Sequence, residues 1–204
     1  MTPEQSLELI RHTIEQNRRS MERNAGVPMI FWGILTAVFA IAIAFLWKYC
    51  GGPIWNMLWF LMAAIGFLVE HTILENHGEK SNSFLGFVIS KIWITFAIFS
   101  LSMSIVLFLL NLFTVDPTPE TTVVFPITAV IILLLGVAAT ITGLVLKNYW
   151  ITIASIISGL FGFALALIMG SSAFQMCIIA VVAVLVLVIP GIIMNSKKSQ
   201  QLNP

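Results

Sequence analysis

Residues 149–194 read YWITIASIISGLFGFALALIMGSSAFQMCIIAVVAVLVLVIPGIIM and contain no acidic, basic or histidine side chain. As one helix this stretch would measure about 69 Å at 1.5 Å per residue, more than twice the roughly 30 Å hydrocarbon core of a bilayer. The sequence Gly170-Ser171-Ser172 lies near its middle. The stretch therefore predicts two membrane-spanning helices, 149–170 and 172–194, joined by a tight turn.

The rest of the chain has the same apolar character. Of 204 residues, 59% are hydrophobic and 9% are charged, whereas soluble domains are about a quarter charged. Long apolar runs predict four further spans, and these are 29–47, 54–74, 84–113 and 121–146. The predicted fold is an all-α, polytopic membrane bundle. It has a cytoplasmic amphipathic helix in residues 1–26, six transmembrane helices in residues 27–196 and a short cytoplasmic tail in residues 197–204.

The distribution of basic residues predicts the orientation of the chain. With the N-terminus in the cytoplasm, Lys48 is the only one of the ten lysines and arginines on the outer side. Such an excess on the inner side is typical of membrane proteins. Six spans then place both termini in the cytoplasm. The nine inner residues are Arg11, Arg18, Arg19, Arg23, Lys80, Lys91, Lys147, Lys197 and Lys198.

The segment before the first span predicts a helix over residues 2–24. Thr2 is a suitable N-cap, Pro3 suits the first helical position and Gln5 completes a capping box. Four apolar side chains follow at heptad spacing, with Asn17 on the same stripe; they are Leu7, Ile10, Ile14 and Met21.

Two interpretations of this narrow apolar seam stay open. In one, the helix docks a partner protein or a second copy of the chain. In the other, the helix lies along the underside of the bundle or among lipid headgroups, with its arginines near anionic lipid.

Ionisable groups inside a span are costly and are candidates for a functional role. The predicted spans contain two residues that carry a full charge at neutral pH, Glu70 and Lys91, which a helical hairpin turning near residues 78–82 would bring to similar depth. We expect an ion pair between them near the inner interface. The pair is interpreted either as a structural strap between the second and third spans or as a gate or proton-linked switch.

Motifs for catalysis and metal binding are weak. His71, Glu75, His77 and Glu79 offer two imidazoles and two flexible carboxylates, fewer converging ligands than zinc prefers. The spans carry no H-E-x-x-H motif, no glycine-rich phosphate loop and no Ser, His and Asp constellation. We therefore expect no enzymatic activity, no metal and no cofactor.

Small residues predict where helices approach one another closely. On span five they recur every four residues, at Ala154, Ser158, Gly162, Ala166 and Gly170. Span four has a similar face, formed by Gly136, Thr140 and Gly143. We expect these two faces to meet. Pro126 and Pro190 are expected to kink or break their helices, with Pro190-Gly191 forming a flexible inner end of span six.

Short motifs along the chain resemble an uncharacterised six-span inner-membrane family of Bacteroidetes-type bacteria. The resemblance covers nearly the whole chain, and it implies the span count and an inner-membrane location but no activity, substrate or cofactor. The motifs are Pro3-Glu4-Gln5-Ser6-Leu7, Arg18-Arg19, Gly26-Val27-Pro28, Thr142-Gly143-Leu144-Val145-Leu146-Lys147 and Ile189-Pro190-Gly191.

The leading functional hypothesis is a non-enzymatic scaffold or regulatory membrane subunit that docks a partner through residues 2–24. The alternative is a small-solute permease in which Glu70 and Lys91 contribute to a gate. The predicted partners are the lipid bilayer and either a cytoplasmic protein or a second copy, with no nucleic acid.

Overall fold

The computed structural model describes residues 3–24, 26–69, 72, 84–113 and 126–202. Within these ranges the chain is helical and contains no β-strand, so the all-α prediction is confirmed. A 3-10 helix, Pro53–Met57, leads into α3, and a π-helical turn, Val184–Val188, joins α7 to α8. The α-helices are α1 (Pro3–Asn24), α2 (Gly26–Tyr49), α3 (Leu58–Val69), α4 (Phe84–Phe113), α5 (Ile127–Val145), α6 (Tyr149–Ile168), α7 (Ser172–Ala183) and α8 (Ile189–Leu202).

Five helical segments of the described chain are long and apolar enough to cross a membrane. They are Gly26–Tyr49, Val88–Val106, Ile127–Val145, Tyr149–Ile168 and Ser172–Ser196. The stretch Ile54–Val69 is apolar but shorter. Residues 70, 71, 73 and 74 of the second predicted span lie outside the described residues. The structure therefore shows five such helices, compatible with a multipass membrane protein.

The connection between α6 and α7 divides the long uncharged stretch where the sequence predicts a turn. The backbone leaves α6 after Ile168 and re-enters a helix at Ser172. The side-chain amide of Gln175 donates hydrogen bonds to the carbonyl oxygens of Ala166 (3.1 Å) and Met169 (2.9 Å). These bonds satisfy carbonyls that the end of α6 leaves without helical donors.

The helices pack in antiparallel pairs. Gly136 of α5 lies against Gly159 of α6, and Gly143 lies against Thr152. Similarly, Gly33 of α2 lies against Leu187 in the π-helical turn. Pairing of α5 with α6 is the most extensive, followed by pairing of α2 with α7. Four large side chains have almost no exposed surface and mark the centre of the core, and these are Ile43, Ile132, Leu146 and Val186.

Two consecutive helices, α3 and α4, lie at the edges of the bundle. Helix α3 packs on α2, whereas α4 packs on α5 and contacts α1. Across the part of the chain that the structure describes, α3 and α4 do not form an extensive contact with one another. Helices α3 and α4 therefore have different neighbours in the described bundle, α2 for α3 and α5 for α4.

The two prolines have different surroundings. Pro126 directly precedes α5 as its N-cap residue, so the helix begins after it. Pro190 lies in the second residue of α8, directly after the π-helical turn, and is buried. A proline inside a helix removes a hydrogen bond and crowds the carbonyl four residues earlier, and a π-helical turn is a known way to accommodate it.

Buried hydroxyl groups in the core fall into two classes. The hydroxyl of Thr142 donates to the Ala138 carbonyl (2.8 Å), and that of Ser158 donates to the Ala154 carbonyl (2.6 Å). By contrast, the buried hydroxyls of Ser100 and Ser155 have no hydrogen-bond partner among the described residues. An unsatisfied buried hydroxyl opposes folding because it loses its bonds to water.

Serines 155 and 158 of α6 form a matched pair for a stability test. We expect Ser155→Ala to raise the free energy of unfolding by about 1 kcal/mol, because it removes an unsatisfied group. We expect Ser158→Ala to lower it by about 0.5 kcal/mol, because it removes a hydrogen bond. Circular dichroism during titration with a denaturing detergent measures both. Equal destabilisation by the two substitutions would contradict this assignment.

Candidate docking surface and packing faces

Helix α1 begins with residues suited to a helix N-terminus. Pro3 occupies the first described position, where its missing N–H costs no helical bond, and Glu4 lies in the first turn near the positive end of the helix dipole. The predicted N-cap, Thr2, lies outside the described residues. The hydroxyl of Thr13 donates to the Leu9 carbonyl (2.8 Å), so that polar group is satisfied within the helix.

Helix α1 lies at one end of the bundle. It ends at Asn24, and α2 begins at Gly26. It contacts the three helices α2, α4 and α8. Because α8 runs antiparallel to α2, with Gly191 against Gly26, the start of α2 and helix α8 are at the same end of the bundle. A helix seated there is placed beside a membrane surface if α2 spans the bilayer.

The apolar stripe of α1 is exposed. The exposed fractions of Leu7, Ile10 and Ile14 are 68%, 56% and 55%. These three residues are called the α1 seam below. The predicted fourth member, Met21, lies in the helix, but its side chain is outside the described residues. The bundle therefore leaves the α1 seam uncovered, and the helix does not use it to pack against its own chain.

Charges on α1 are balanced. The helix contains four glutamates and four arginines, and it has no tryptophan, tyrosine or phenylalanine. Arg11 is exposed and lies one residue after Ile10, at the edge of the α1 seam. The electrostatic attraction of a polybasic segment to anionic lipid is therefore largely cancelled by the acidic residues.

The structure places one of the two ionisable residues of the spans. Lys91 is exposed, about two turns into α4, and its carbonyl accepts a hydrogen bond from the Thr95 hydroxyl (2.8 Å). Glu70 follows the last residue of α3 and lies outside the described residues. The ion pair between Glu70 and Lys91 stays a prediction.

The histidine and glutamate cluster of the sequence also lies outside the described residues, at positions 71, 75, 77 and 79. Over the described ranges, no group of three or more His, Cys, Asp or Glu side chains is arranged to hold a metal ion. Cys50 and Cys177 are both free and exposed.

The predicted small faces of α5 and α6 are partly brought together. On α5, Gly136 and Gly143 are buried and Thr140 is half-buried. On α6, the buried members are Ser158, Gly162 and Ala166, while Ala154 is half-buried and Gly170 is exposed beyond the end of the helix. Gly162 contacts Val182 of α7 as well as Ile132 of α5, so α6 packs closely against both helices at this residue.

Gly159 is the packing residue that the four-residue repeat missed. A Cβ atom added to Gly136 would lie 2.7 Å from the Gly159 Cα, and one added to Gly143 would lie 2.8 Å from the Thr152 backbone nitrogen. The two backbones are therefore in direct contact. An α-helix has 3.6 residues per turn, so a straight face alternates steps of three and four. Thr152, Ser155, Gly159, Gly162 and Ala166 follow that rule and are all buried.

A matched pair of glycine substitutions tests this contact. We expect Gly136→Ala to lower the free energy of unfolding by about 2 kcal/mol, because the added methyl group meets backbone that has no room to yield. Gly170→Ala is the control, since nothing lies within 4 Å of a Cβ atom there. Unfolding in mixed detergent micelles measures both. A Gly136→Ala variant as stable as the Gly170→Ala variant would refute the close backbone contact.

No family model, curated protein or solved structure matches this chain. Its function is therefore inferred from the exposed seam of α1, the closely packed helix pairs and the distribution of charge.

Proposed function

We propose that the protein is a six-span inner-membrane protein with both termini in the cytoplasm. On this proposal it is a non-enzymatic scaffold or regulatory subunit, and α1 docks a partner protein. The observation that carries the proposal is the exposure of the apolar side chains of Leu7, Ile10 and Ile14 on a helix that contacts α2, α4 and α8.

The span that brings the count to six is the second along the chain, 54–74. It is supported by the apolar stretch Ile54–Val69, after which Glu70, His71 and Thr72 precede Ile73 and Leu74 in the sequence. Together they reach the roughly 20 residues that a transmembrane helix needs. Six spans also give the orientation in which nine of the ten basic residues are on the cytoplasmic side. In this orientation α1 lies at the cytoplasmic surface.

The composition of α1 favours a protein over lipid as the group that covers the α1 seam. Each basic residue near an anionic membrane contributes about 1 kcal/mol, and four glutamates offset four arginines here. Helices that bind in the membrane interface commonly use tryptophan or phenylalanine, which α1 lacks. A narrow aliphatic seam is typical of pairing with another amphipathic helix. The partner surface is therefore an apolar groove or a helix with aliphatic side chains.

The permease alternative has less support. A solute path needs polar side chains turned toward a common cavity. Among the described residues, the hydroxyls of Thr142, Thr152 and Ser158 instead bind carbonyl oxygens of their own helices. The two buried hydroxyls without a partner, those of Ser100 and Ser155, lie on different helices, α4 and α6. Such bonds are typical of structural residues in membrane helices.

Site-specific photo-crosslinking in native membranes tests the docking proposal. A benzophenone amino acid at Ile10 is expected to give a discrete protein adduct. The same probe at His12, which is exposed on the opposite face of α1, is the matched control and should give none. Adding Ile14→Glu to the Ile10 probe should weaken the adduct about tenfold or more, because it places a charge in the apolar contact.

Equal adducts from both faces, or adducts to lipid alone at Ile10, would refute docking through the α1 seam. An adduct of twice the chain mass would identify a second copy as the partner.

A further inference from the structure

The helix formed by α7 and α8 has an interrupted hydrogen-bond ladder. The N–H of Ile189 donates to the carbonyl of Val184, five residues earlier. The carbonyl of Leu185 then has neither of its usual helical donors, because Ile189 is engaged and Pro190, five residues on, has no N–H. Fewer backbone bonds resist bending here than elsewhere in the helix.

Packing differs on the two sides of this interruption. On the N-terminal side of the π-helical turn, α7 packs against α2, α5 and α6. On its C-terminal side, the extensive contacts of α8 within the described chain are with α2, with α1 and with the π-helical turn itself. Helix α7 is therefore held by the centre of the bundle. Helix α8 is held by the first turns of α2 and by α1.

The contact between α8 and α2 brings the two backbones close together. A Cβ atom added to Gly26 would lie 2.8 Å from the Gly191 carbonyl oxygen, and one added to Gly191 would lie 2.8 Å from the Gly26 carbonyl oxygen. The side chain of Ile30 also lies against Gly191, so α8 would have to leave this contact in order to turn against α2.

Met194 marks which face α8 presents to the bundle. It lies one turn beyond Pro190 and has an exposed fraction of 2%, whereas the next residue, Asn195, is exposed. A π-helical turn contains about one residue more than an α-helical turn, so converting one into the other would turn α8 by roughly 100° relative to α7. Such a turn would remove Met194 from the core.

We propose that residues 191–202 form a movable arm, hinged at Val184–Pro190, and that α1 holds this arm in the position that buries Met194. The proposal goes beyond docking: it makes α1 a clamp on the end of the last helix, whatever covers the α1 seam. A displacement of α1 would release the arm and change the cytoplasmic face of the protein.

Thiol accessibility tests the proposal without any partner. The background is the full chain with Cys50→Ser and Cys177→Ser, which removes both native thiols. A single cysteine at Met194→Cys reports on the arm. A cysteine at Ile151→Cys is the control, because Ile151 is 3% exposed and lies at the same end of the bundle in α6. Labelling by N-ethylmaleimide is measured in phospholipid nanodiscs.

Two changes to the chain give opposite expected results. Deletion of residues 2–24 should accelerate labelling at position 194 several-fold and leave labelling at position 151 unchanged. Pro190→Ala restores a backbone donor at the hinge, so in the full chain it should slow labelling at position 194, and in the deletion variant it should suppress the acceleration.

Equal acceleration at positions 194 and 151 would show general loosening and would overturn the clamp. Unchanged labelling at position 194 in the Pro190→Ala full chain would overturn the hinge, even if the deletion variant did not fold. Neither result bears on docking, because the photo-crosslinking experiment tests only whether a protein contacts the α1 seam.

Discussion

Close approach of helix backbones is the constraint on which this bundle depends. Lipid chains are as apolar as leucine side chains, so burial of apolar surface does little to hold helices together inside a bilayer. Van der Waals contact must supply the attraction, and it is strongest where no side chain separates the helices. Gly136 and Gly159 provide such a contact for α5 and α6, and Gly26 and Gly191 provide one for α2 and α8.

Composition and the lengths of apolar runs were sufficient to predict the helical class and most helix bounds. The predicted span 84–113 coincides with α4, and the turn near Gly170 is where α6 and α7 separate. These features follow from one-dimensional properties of the chain, namely the reach of a helix and the thickness of a bilayer. The second predicted span is different, because a 3-10 helix takes up its first residues and the described α-helix ends at Val69.

Features that depend on the neighbours of a residue were harder to predict. The repeat at every fourth position selected Gly170, which lies outside the helix contact, and missed Gly159, which is at its centre. Pro190 indicated an interruption, but the sequence alone did not indicate that a π-helical turn would precede it with Val186 and Leu187 fully packed. Likewise, the amphipathic pattern of α1 indicated a seam, whereas its exposure depends on how α1 sits against α2, α4 and α8.

The short link between α1 and α2 has a consequence for any protein that binds α1. Helix α1 has 22 residues, which corresponds to a length of about 33 Å, and one residue separates it from the first apolar helix. If α2 spans the bilayer, a protein bound to α1 would therefore be confined to a thin layer next to the membrane. Confinement of this kind raises local concentrations toward the millimolar range and makes weak encounters with other membrane components frequent. A modest affinity at α1 would then be enough to organise a reaction at the membrane surface.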